Sequence, residues 1–321
     1  MKRESAMAAV VPIDLALGGM PGAAAAYLVK GPEPAVVDPG PPEAAPQLRR
    51  ALEALGVPPA ELRHVLVTHA HREHAGAAGI LAEGAPNARI HASEVTAAAL
   101  AEPDVLPSEG VEPGEGGDSS PGGGQDPAVP GDRLRVWRAG DPDPVEGVQP
   151  VEASGHDPGH LAVWGPEASV LVAGDALGVV LTPDSPTHPS APPGEVDLEA
   201  WRKTLSTLRG MAPGWVAVGR FGIHDDAAGR VAALEEALDR LEERVTRAVS
   251  QGQEANDQAR FREQTLKAQG EHLPQARAER FFRHFDPRRD WSPGFRRRTG
   301  REFATTPGFT PVPRYLSSTI R

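Results

Sequence analysis

The stretch Thr68-His69-Ala70-His71-Arg72-Glu73-His74 decides how this chain of 321 residues is interpreted. It holds three imidazoles and one carboxylate, and it lies after a β-branched strand pattern and before a helical one. At the end of a strand, side chains at positions i and i+2 point the same way, so His69 and His71 can converge on one ion. Glu73 and His74, at the start of the helix, face a neighbouring point. The run therefore predicts two adjacent metal sites, with a solvated surface cluster of histidines as the alternative.

Two later segments offer further ligands at predicted strand ends. Gly155-His156-Asp157-Pro158-Gly159-His160 follows one strand pattern, and Gly174-Asp175 follows the apolar strand pattern of residues 170–173. The chain contains no cysteine, which excludes disulfides, thiol catalysis, zinc ribbons and iron–sulfur clusters. Any metal site must therefore be built from His, Asp and Glu.

Four motifs, in this order along the chain, resemble those of the metallo-β-lactamase superfamily. Val37-Asp38-Pro39-Gly40 resembles the early aspartate turn of the family, THAHREH its HxHxDH motif, SGHDPGH its GHTPGH turn and AGDALG its GD segment. The resemblance covers roughly residues 10–227 and is to the generic, glyoxalase II-like subgroup. It implies an α/β fold: a four-layer αβ/βα sandwich of two mixed sheets packed face to face, with helices outside, metal at one edge and a helical C-terminal extension.

Carried over residue by residue, the resemblance implies a first metal held by His69, His71 and His156, with Asp175 bridging to a second. This donor set is the one that tetrahedral zinc prefers, so one or two zinc ions are expected, with Fe or Mn as alternatives. Zinc lowers the pKa of a bound water from about 16 to about 7, which makes a hydroxide available to attack an ester, thioester or lactone carbonyl. Glu73 or Asp175 is expected to orient that water as a catalytic carboxylate.

The second metal site departs from the family pattern twice. Glu73 stands where the family has aspartate, and Arg220 stands where its last histidine ligand is expected. His74 remains as a ligand, and His224 is the candidate replacement for the lost histidine. Alternatively, Arg220 supplies a fixed positive charge that pairs with Glu73 or binds a substrate carboxylate or phosphate, since an arginine stays protonated and cannot ligate zinc. On this second interpretation Arg220 is a substrate-binding residue.

Two residues are expected to support the site without binding metal. Asp38 lies in the early turn, and His160 is expected to orient its neighbours through a hydrogen bond. Two functions other than a hydrolase fit the same sequence. A catalytically silent binding or scaffold protein follows if Arg220 marks a lost second metal. A mononuclear iron oxygenase follows if His69, His156 and Asp175 form its ligand set.

The organisation of the chain is expected to follow its composition. Residues 8–227 are predicted to form the metallo-β-lactamase-like domain, and residues 228–321 a helical C-terminal extension with a basic aromatic tail. Within the first domain, 13 of the 25 residues in 107–131 are Gly or Pro, which predicts a flexible loop. The extension is a candidate contact for a homodimer.

Charge and hydropathy restrict the partners of the protein. The net charge is −11, although residues 277–321 contain 11 arginines and four acidic residues. An acidic chain is a poor general binder of nucleic acid or anionic membranes, so the tail is expected to pack on the acidic remainder or on a second subunit. No apolar run is long enough to span a membrane, and residues 1–12 do not form a signal-peptide pattern. The prediction is a cytoplasmic enzyme acting on a small-molecule substrate.

Overall fold

The structure is a computed structural model, and it describes residues 10–102, 106, 127–180, 187–190, 196–220 and 222–250. Two sheets form the centre of the fold. The strands are β1 (Val10–Asp14), β2 (Ala25–Val29), β3 (Ala35–Val37), β4 (His64–Leu66), β5 (Arg89–Ala92), β6 (Leu134–Val136), β7 (Gln149–Glu152), β8 (Leu161–Gly165), β9 (Val170–Gly174), β10 (Val179–Val180), β11 (Thr187–His188), β12 (Trp215–Val218) and β13 (Gly222–His224). The helices are α1 (Ala45–Ala54), α2 (Arg72–Ala75), α3 (Ala78–Gly84), α4 (Glu94–Ala101), α5 (Leu198–Met211) and α6 (Ala227–Ser250).

The first sheet has six strands in the order β1-β2-β3-β4-β5-β6. β1, β2 and β3 are antiparallel neighbours, and β3 to β6 run parallel. The hairpin predicted from the runs at 25–29 and 35–38 is confirmed, with Tyr27 opposite Val37. Pro12 lies within β1, where it is tolerated because β1 is an edge strand that needs fewer backbone donors.

The second sheet has five strands in the order β13-β12-β9-β8-β7. The antiparallel meander predicted for the segments that became β7, β8 and β9 is confirmed. β12 joins β9 in parallel, and the short strand β13, which sequence patterns did not indicate, folds back antiparallel onto β12. β10 and β11 form a separate two-stranded ribbon.

Apolar side chains fill three layers, which confirms the predicted four-layer sandwich. One cluster lies between the sheets and includes Val37, Leu66, Val163 and Val172. The outer face of the first sheet is covered by α1, α3 and α4, and that of the second sheet by α5 and α6. Tyr27 also links the sheets by a polar contact, because its buried hydroxyl donates to the carbonyl oxygen of Val218.

The apolar stretch at 75–81 predicts one helix that begins where the histidines end, but the structure has two helices here, α2 and α3, so the predicted continuity is wrong. The break lies at Gly76-Ala77. The N–H of Ala77 donates to the carbonyl oxygen of Gly40, at 2.8 Å, and the N–H of Gly40 donates to that of His74, at 3.0 Å. The turn after β3 thus binds the backbone on both sides of the break, and it fixes the end of α2 against the early aspartate turn.

The helix at the start of the predicted C-terminal extension packs on the same core. Val231, Leu234 and Leu238 of α6 are buried with side chains of α5. The rest of the extension, including the basic tail, lies outside the described residues, as does most of the predicted flexible loop at 107–131. No helix in the described ranges is both long and apolar enough to cross a membrane.

Candidate metal centre

The ends of several strands meet at one edge of the sandwich and carry buried polar side chains. His69 and His71 follow β4 of the first sheet, whereas His156 follows β7 and Asp175 follows β9 of the second sheet. All four side chains are completely buried. The sandwich therefore brings together, between its two sheets, residues that are more than 100 positions apart in the sequence.

The side chains of His69, His71 and His156 form what we call the three-histidine group. Nε2 of His69 and Nε2 of His156 each lie 3.0 Å from Nδ1 of His71. The three nitrogens lie within 4.8 Å of one another, close enough to bind one ion. Burial, followed by the neighbouring histidines His74 and His160, lowers the pKa of His69 well below its ordinary value, so this imidazole is neutral and keeps a lone pair.

Hydrogen bonds behind the three-histidine group fix where its protons lie. The hydroxyl of Thr68 donates to Oδ2 of Asp38 at 2.8 Å, so it accepts the proton on Nδ1 of His69, 2.9 Å away. Nδ1 of His156 donates to the carbonyl oxygen of Ser190 at 2.7 Å. Both outward-facing nitrogens are therefore protonated, and both Nε2 atoms carry lone pairs.

This proton arrangement tests whether the residues fit a metal ion. Nδ1 of His71 carries at most one hydrogen, so it can satisfy the lone pair of His69 or that of His156, but not both. A cation at the shared point satisfies all three nitrogens at once. The three-histidine group therefore fits a metal ion, and three neutral imidazoles are a donor set that zinc prefers.

A second group of three ligands consists of His69, His74 and Asp175. Nδ1 of His74 donates to Oδ2 of Asp38 at 3.0 Å, and its Nε2 lies 3.3 Å from Oδ1 of Asp175. Among the described residues, Oδ2 of this buried carboxylate has no hydrogen-bond donor, whereas Oδ1 faces Nε2 of His74. A buried carboxylate oxygen without a donor is costly, so this side chain also fits a site that receives a cation or a water.

The charges of the second group depend on one another. Burial by itself lowers the pKa of His74, but the carboxylates of Asp175 and Asp38 outweigh it and raise this pKa well above its ordinary value. Burial likewise raises the pKa of Asp175, but His74, with smaller contributions from His156 and Arg220, holds it well below its ordinary value. His74 and Asp175 thus form a buried ion pair when no metal is bound.

Asp38 connects the two groups. It accepts the N–H of Thr68 on Oδ1 at 2.8 Å, and it accepts both the Thr68 hydroxyl and His74 on Oδ2. Asp38 has a φ of 51°, in the left-handed region that Asp adopts more readily than most residues. The structure therefore places this side chain where the resemblance implied a supporting carboxylate. Thr68, the intermediary to His69, was not predicted as a functional residue.

His160 lies against the three-histidine group by ring stacking. Its ring is 4.6 Å from that of His69, with 18° between the planes. Burial, followed by the charge of His156, lowers the pKa of His160 well below its ordinary value. Neither of its ring nitrogens has a hydrogen-bond partner among the described residues. The described residues thus show a stacking contact for His160, and the hydrogen bond expected from this side chain stays a prediction.

Three predicted site residues take other positions. Glu73 and His224 are half-buried, and neither belongs to a three-ligand group within the described part of the chain. Nδ1 of His224 accepts a hydrogen bond from Arg230 at 2.7 Å; burial, followed by that arginine, lowers the pKa of His224 to about 4. Arg220 is only 3% exposed, and its Nη1 donates to the carbonyl oxygen of Ala23 at 3.1 Å. Ligand roles for Glu73 and His224 and a substrate-binding role for Arg220 stay predictions.

Close packing explains two glycines beside the site. A Cβ on Gly219 would lie 2.6 Å from Oδ1 of Asp175 and 2.6 Å from Cε1 of His74. A Cβ on Gly155 would lie 2.3 Å from Cα of Trp201. Gly155 also has a φ of 138°, so only glycine suits this position beside His156.

Comparison with known proteins gives a family and a fold. Residues 19–220 match the family described as the metallo-beta-lactamase superfamily. A metallo-beta-lactamase family protein from Thermus thermophilus has 22% identity and a TM-score of 0.58, over 74% of this chain and 82% of that chain. The Rm3 metallo-beta-lactamase has 19% identity and a TM-score of 0.51, over 72% of this chain and 90% of that chain.

A third similar structure is a Cronobacter sakazakii metallo-beta-lactamase with substitutions in its HARLDQ motif. It has 18% identity and a TM-score of 0.54, over 76% of this chain and 96% of that chain. At these identities the three structures show the fold alone. No curated protein matches the chain significantly.

Proposed function

Since the chain belongs to the metallo-β-lactamase superfamily, we propose that it is a metal-dependent hydrolase of esters, thioesters or lactones. The single observation that carries this proposal is the convergence of three imidazole nitrogens on one point, with two of the three tautomers fixed by hydrogen bonds. A structural role would need only one hydrogen bond between two imidazoles. Three imidazole nitrogens that face one point suit a cation instead.

His69, His71 and His156 would hold the ion, and zinc is the metal proposed. A metal ion bound there lowers the pKa of a water ligand and polarises a carbonyl oxygen, which is the chemistry that hydrolysis of an acyl group needs. Three protein ligands are the number that catalytic zinc sites use. Closed structural sites use four protein ligands instead.

Asp175 has the position of the catalytic carboxylate. Its Oδ2 accepts no hydrogen bond from the described residues, so this oxygen is available to accept one from the attacking water and to orient it. His74 keeps this carboxylate ionised, because their ion pair holds the pKa of Asp175 low. Glu73, which precedes His74 in α2, is the second candidate for a catalytic carboxylate.

The three-histidine group supports the hydrolase over the iron oxygenase. An oxygenase site of the facial type uses two histidines and one carboxylate. Here the third member that shares a point with His69 and His156 is another imidazole, that of His71, and not Asp175. The donor set of the three-histidine group is therefore all nitrogen, which favours zinc and hydrolysis. The second group does combine two histidines with one carboxylate, but Nε2 of its His69 faces the three-histidine group.

The test is hydrolysis by the full chain reconstituted with zinc, using p-nitrophenyl acetate, an acyl-coenzyme A thioester and a γ-lactone as probes. We expect hydrolysis of at least one probe, lost after chelation and in His71→Ala. His91→Gln is the matched control, since it removes a buried histidine outside both ligand groups and is expected to keep the activity. A protein that binds zinc but hydrolyses none of the three would contradict the proposal and favour the silent binding protein.

A further inference from the structure

We propose that this protein binds a single metal ion, and that the buried guanidinium of Arg220, which follows Gly219 at the end of β12, disfavours a second ion at the second group. This inference rests on the proposed function, because it takes the three-histidine group to be a metal centre. It goes further by assigning the number of ions and a role for Arg220 that involves no direct contact with substrate.

His69 belongs to both ligand groups but has only one lone pair to offer. Its Nδ1 carries a proton that the hydroxyl of Thr68 accepts, so the ring offers one lone pair, on Nε2. That Nε2 lies 3.0 Å from Nδ1 of His71, within the three-histidine group. One lone pair binds one ion, and an ion in the three-histidine group therefore removes His69 from the second group.

Too few protein ligands remain for an ion at the second group. Without His69, the second group keeps only His74 and Asp175, whereas catalytic zinc sites use three protein ligands. Glu73 is not part of any three-ligand group in the described ranges. Arg220 follows the end of β12 and cannot ligate, because a guanidinium has no lone pair to offer. The second position is therefore short of at least one ligand.

Arg220 is held at the end of β12, next to a glycine that packs against the second group. Gly219, its neighbour in the chain, packs directly against Asp175 and His74, with its Cβ position 2.6 Å from Oδ1 of the carboxylate. The carbonyl oxygen of Gly219 accepts the N–H of Ala25 at 2.9 Å, and Nη1 of Arg220 donates to the carbonyl oxygen of Ala23. The loop before β2 thus holds both the backbone and the guanidinium in place.

Electrostatics then favour one ion over two. A permanent charge that is 97% removed from solvent acts through a medium of low dielectric constant, so it repels a dication at a neighbouring point far more than it would in water. Arg220 therefore disfavours a second metal ion at the second group.

The experiment is a zinc titration of metal-stripped full chain against a chromophoric chelator, with the stoichiometry of the complex read by native mass spectrometry. We expect one zinc per chain in the wild type. Arg220→His removes the charge and adds a ligand, so we expect a second zinc, bound at least about tenfold more tightly than any second zinc in the wild type. Arg209→His, at an exposed arginine paired with Glu235, is the control and is expected to bind one.

The stoichiometry of the wild type decides the inference even if Arg220→His fails to fold. Two zinc ions of similar affinity in the wild type would overturn the single-ion inference and leave the proposed hydrolase intact. No bound zinc would overturn the metal centre, and with it the proposed function. A folded Arg220→His variant that binds one zinc, as the wild type does, would overturn the role assigned to Arg220.

Discussion

At the edge of the sandwich, three imidazoles turn nitrogen atoms toward a common point, whereas His64 and His91, on the adjacent strands β4 and β5, face each other as a pair. Both sets of side chains are buried, and both have nitrogens 3.0 Å apart. In the pair, one hydrogen between Nδ1 of His64 and Nε2 of His91 satisfies both atoms. In the three-histidine group, one hydrogen cannot satisfy three atoms.

The two sets of histidines differ in the groups that contact the ring nitrogens on their outer sides. Behind the three-histidine group, the Asp38-Thr68 contact and the carbonyl oxygen of Ser190 fix two of the tautomers. Behind the pair, Nε2 of His64 lies 3.8 Å from the exposed carboxylate of Glu33. Burial and histidine density are common to both sets. The direction of the lone pairs is what distinguishes a metal site from a structural hydrogen bond.

The largest effect is expected from removing one member of the three-histidine group. His71→Ala deletes the nitrogen that faces both neighbours, so zinc affinity should fall by more than about 100-fold, since loss of an outer-shell partner alone costs about 10- to 100-fold. His91→Gln, which breaks the pair, should leave zinc affinity unchanged. Competition with a chromophoric chelator measures both. Equal losses in the two variants would show that the two sets do not differ as described.

A smaller effect is expected when the tautomer of His69 is no longer fixed. Thr68→Val removes the hydroxyl that accepts the Nδ1 proton, and zinc affinity should fall by about tenfold. Thr68→Ser keeps the hydroxyl and should restore most of the affinity. The same chelator competition applies. If valine and serine variants bind zinc alike, the hydroxyl does not orient His69.

The smallest effect is expected at the pair, and it concerns pH. Burial, then His64 and nearby arginines, lower the pKa of His91 from 6.5 to about 3, so the unfolded chain binds a proton that the folded chain does not. Stability from this group is complete above about pH 6.5 and is lost as the pH falls toward 3, by at most about 1.4 kcal/mol per pH unit. The charged side chains around the pair are Glu33, Arg63, Arg89 and Arg135.

The measurement for this effect is the free energy of unfolding in urea at about pH 7.5 and about pH 5. Wild type should lose more stability between the two pH values than His91→Gln, because the variant lacks the titrating ring. Parallel losses would mean that His91 is not held neutral by the fold. Subtracting the loss of unfolding free energy in the variant from that in the wild type removes the contribution of titrating groups that both proteins contain.

The sandwich was predicted from the family resemblance, whereas several of its strands have local signatures. The apolar run at 215–218 predicts a strand with the bounds of β12, and regularly spaced apolar runs predict the meander of β7 to β9. The strand β13 was missed because three residues after a turn carry no periodicity. The break between α2 and α3 was missed because it depends on backbone bonds to Gly40, a contact between distant segments.

The site was predictable where it depends on residue type at a strand end. The spacing of His69 and His71 indicated convergence, and the structure brings them together with His156. The groups that fix the tautomers could not be found in this way. Ser190 acts through its backbone carbonyl, which every residue has, and Thr68 acts through a contact with Asp38, 30 positions earlier in the chain. The burial of Arg220 depends on the loop before β2 and has no sequence signature.

X-ray absorption at the zinc edge of the zinc-loaded wild type tests most directly the claim that the three-histidine group holds the metal. The account predicts three imidazole nitrogens at about 2.0 to 2.1 Å, one further light atom and no second zinc nearby. A spectrum with two imidazoles or fewer around the zinc would contradict it.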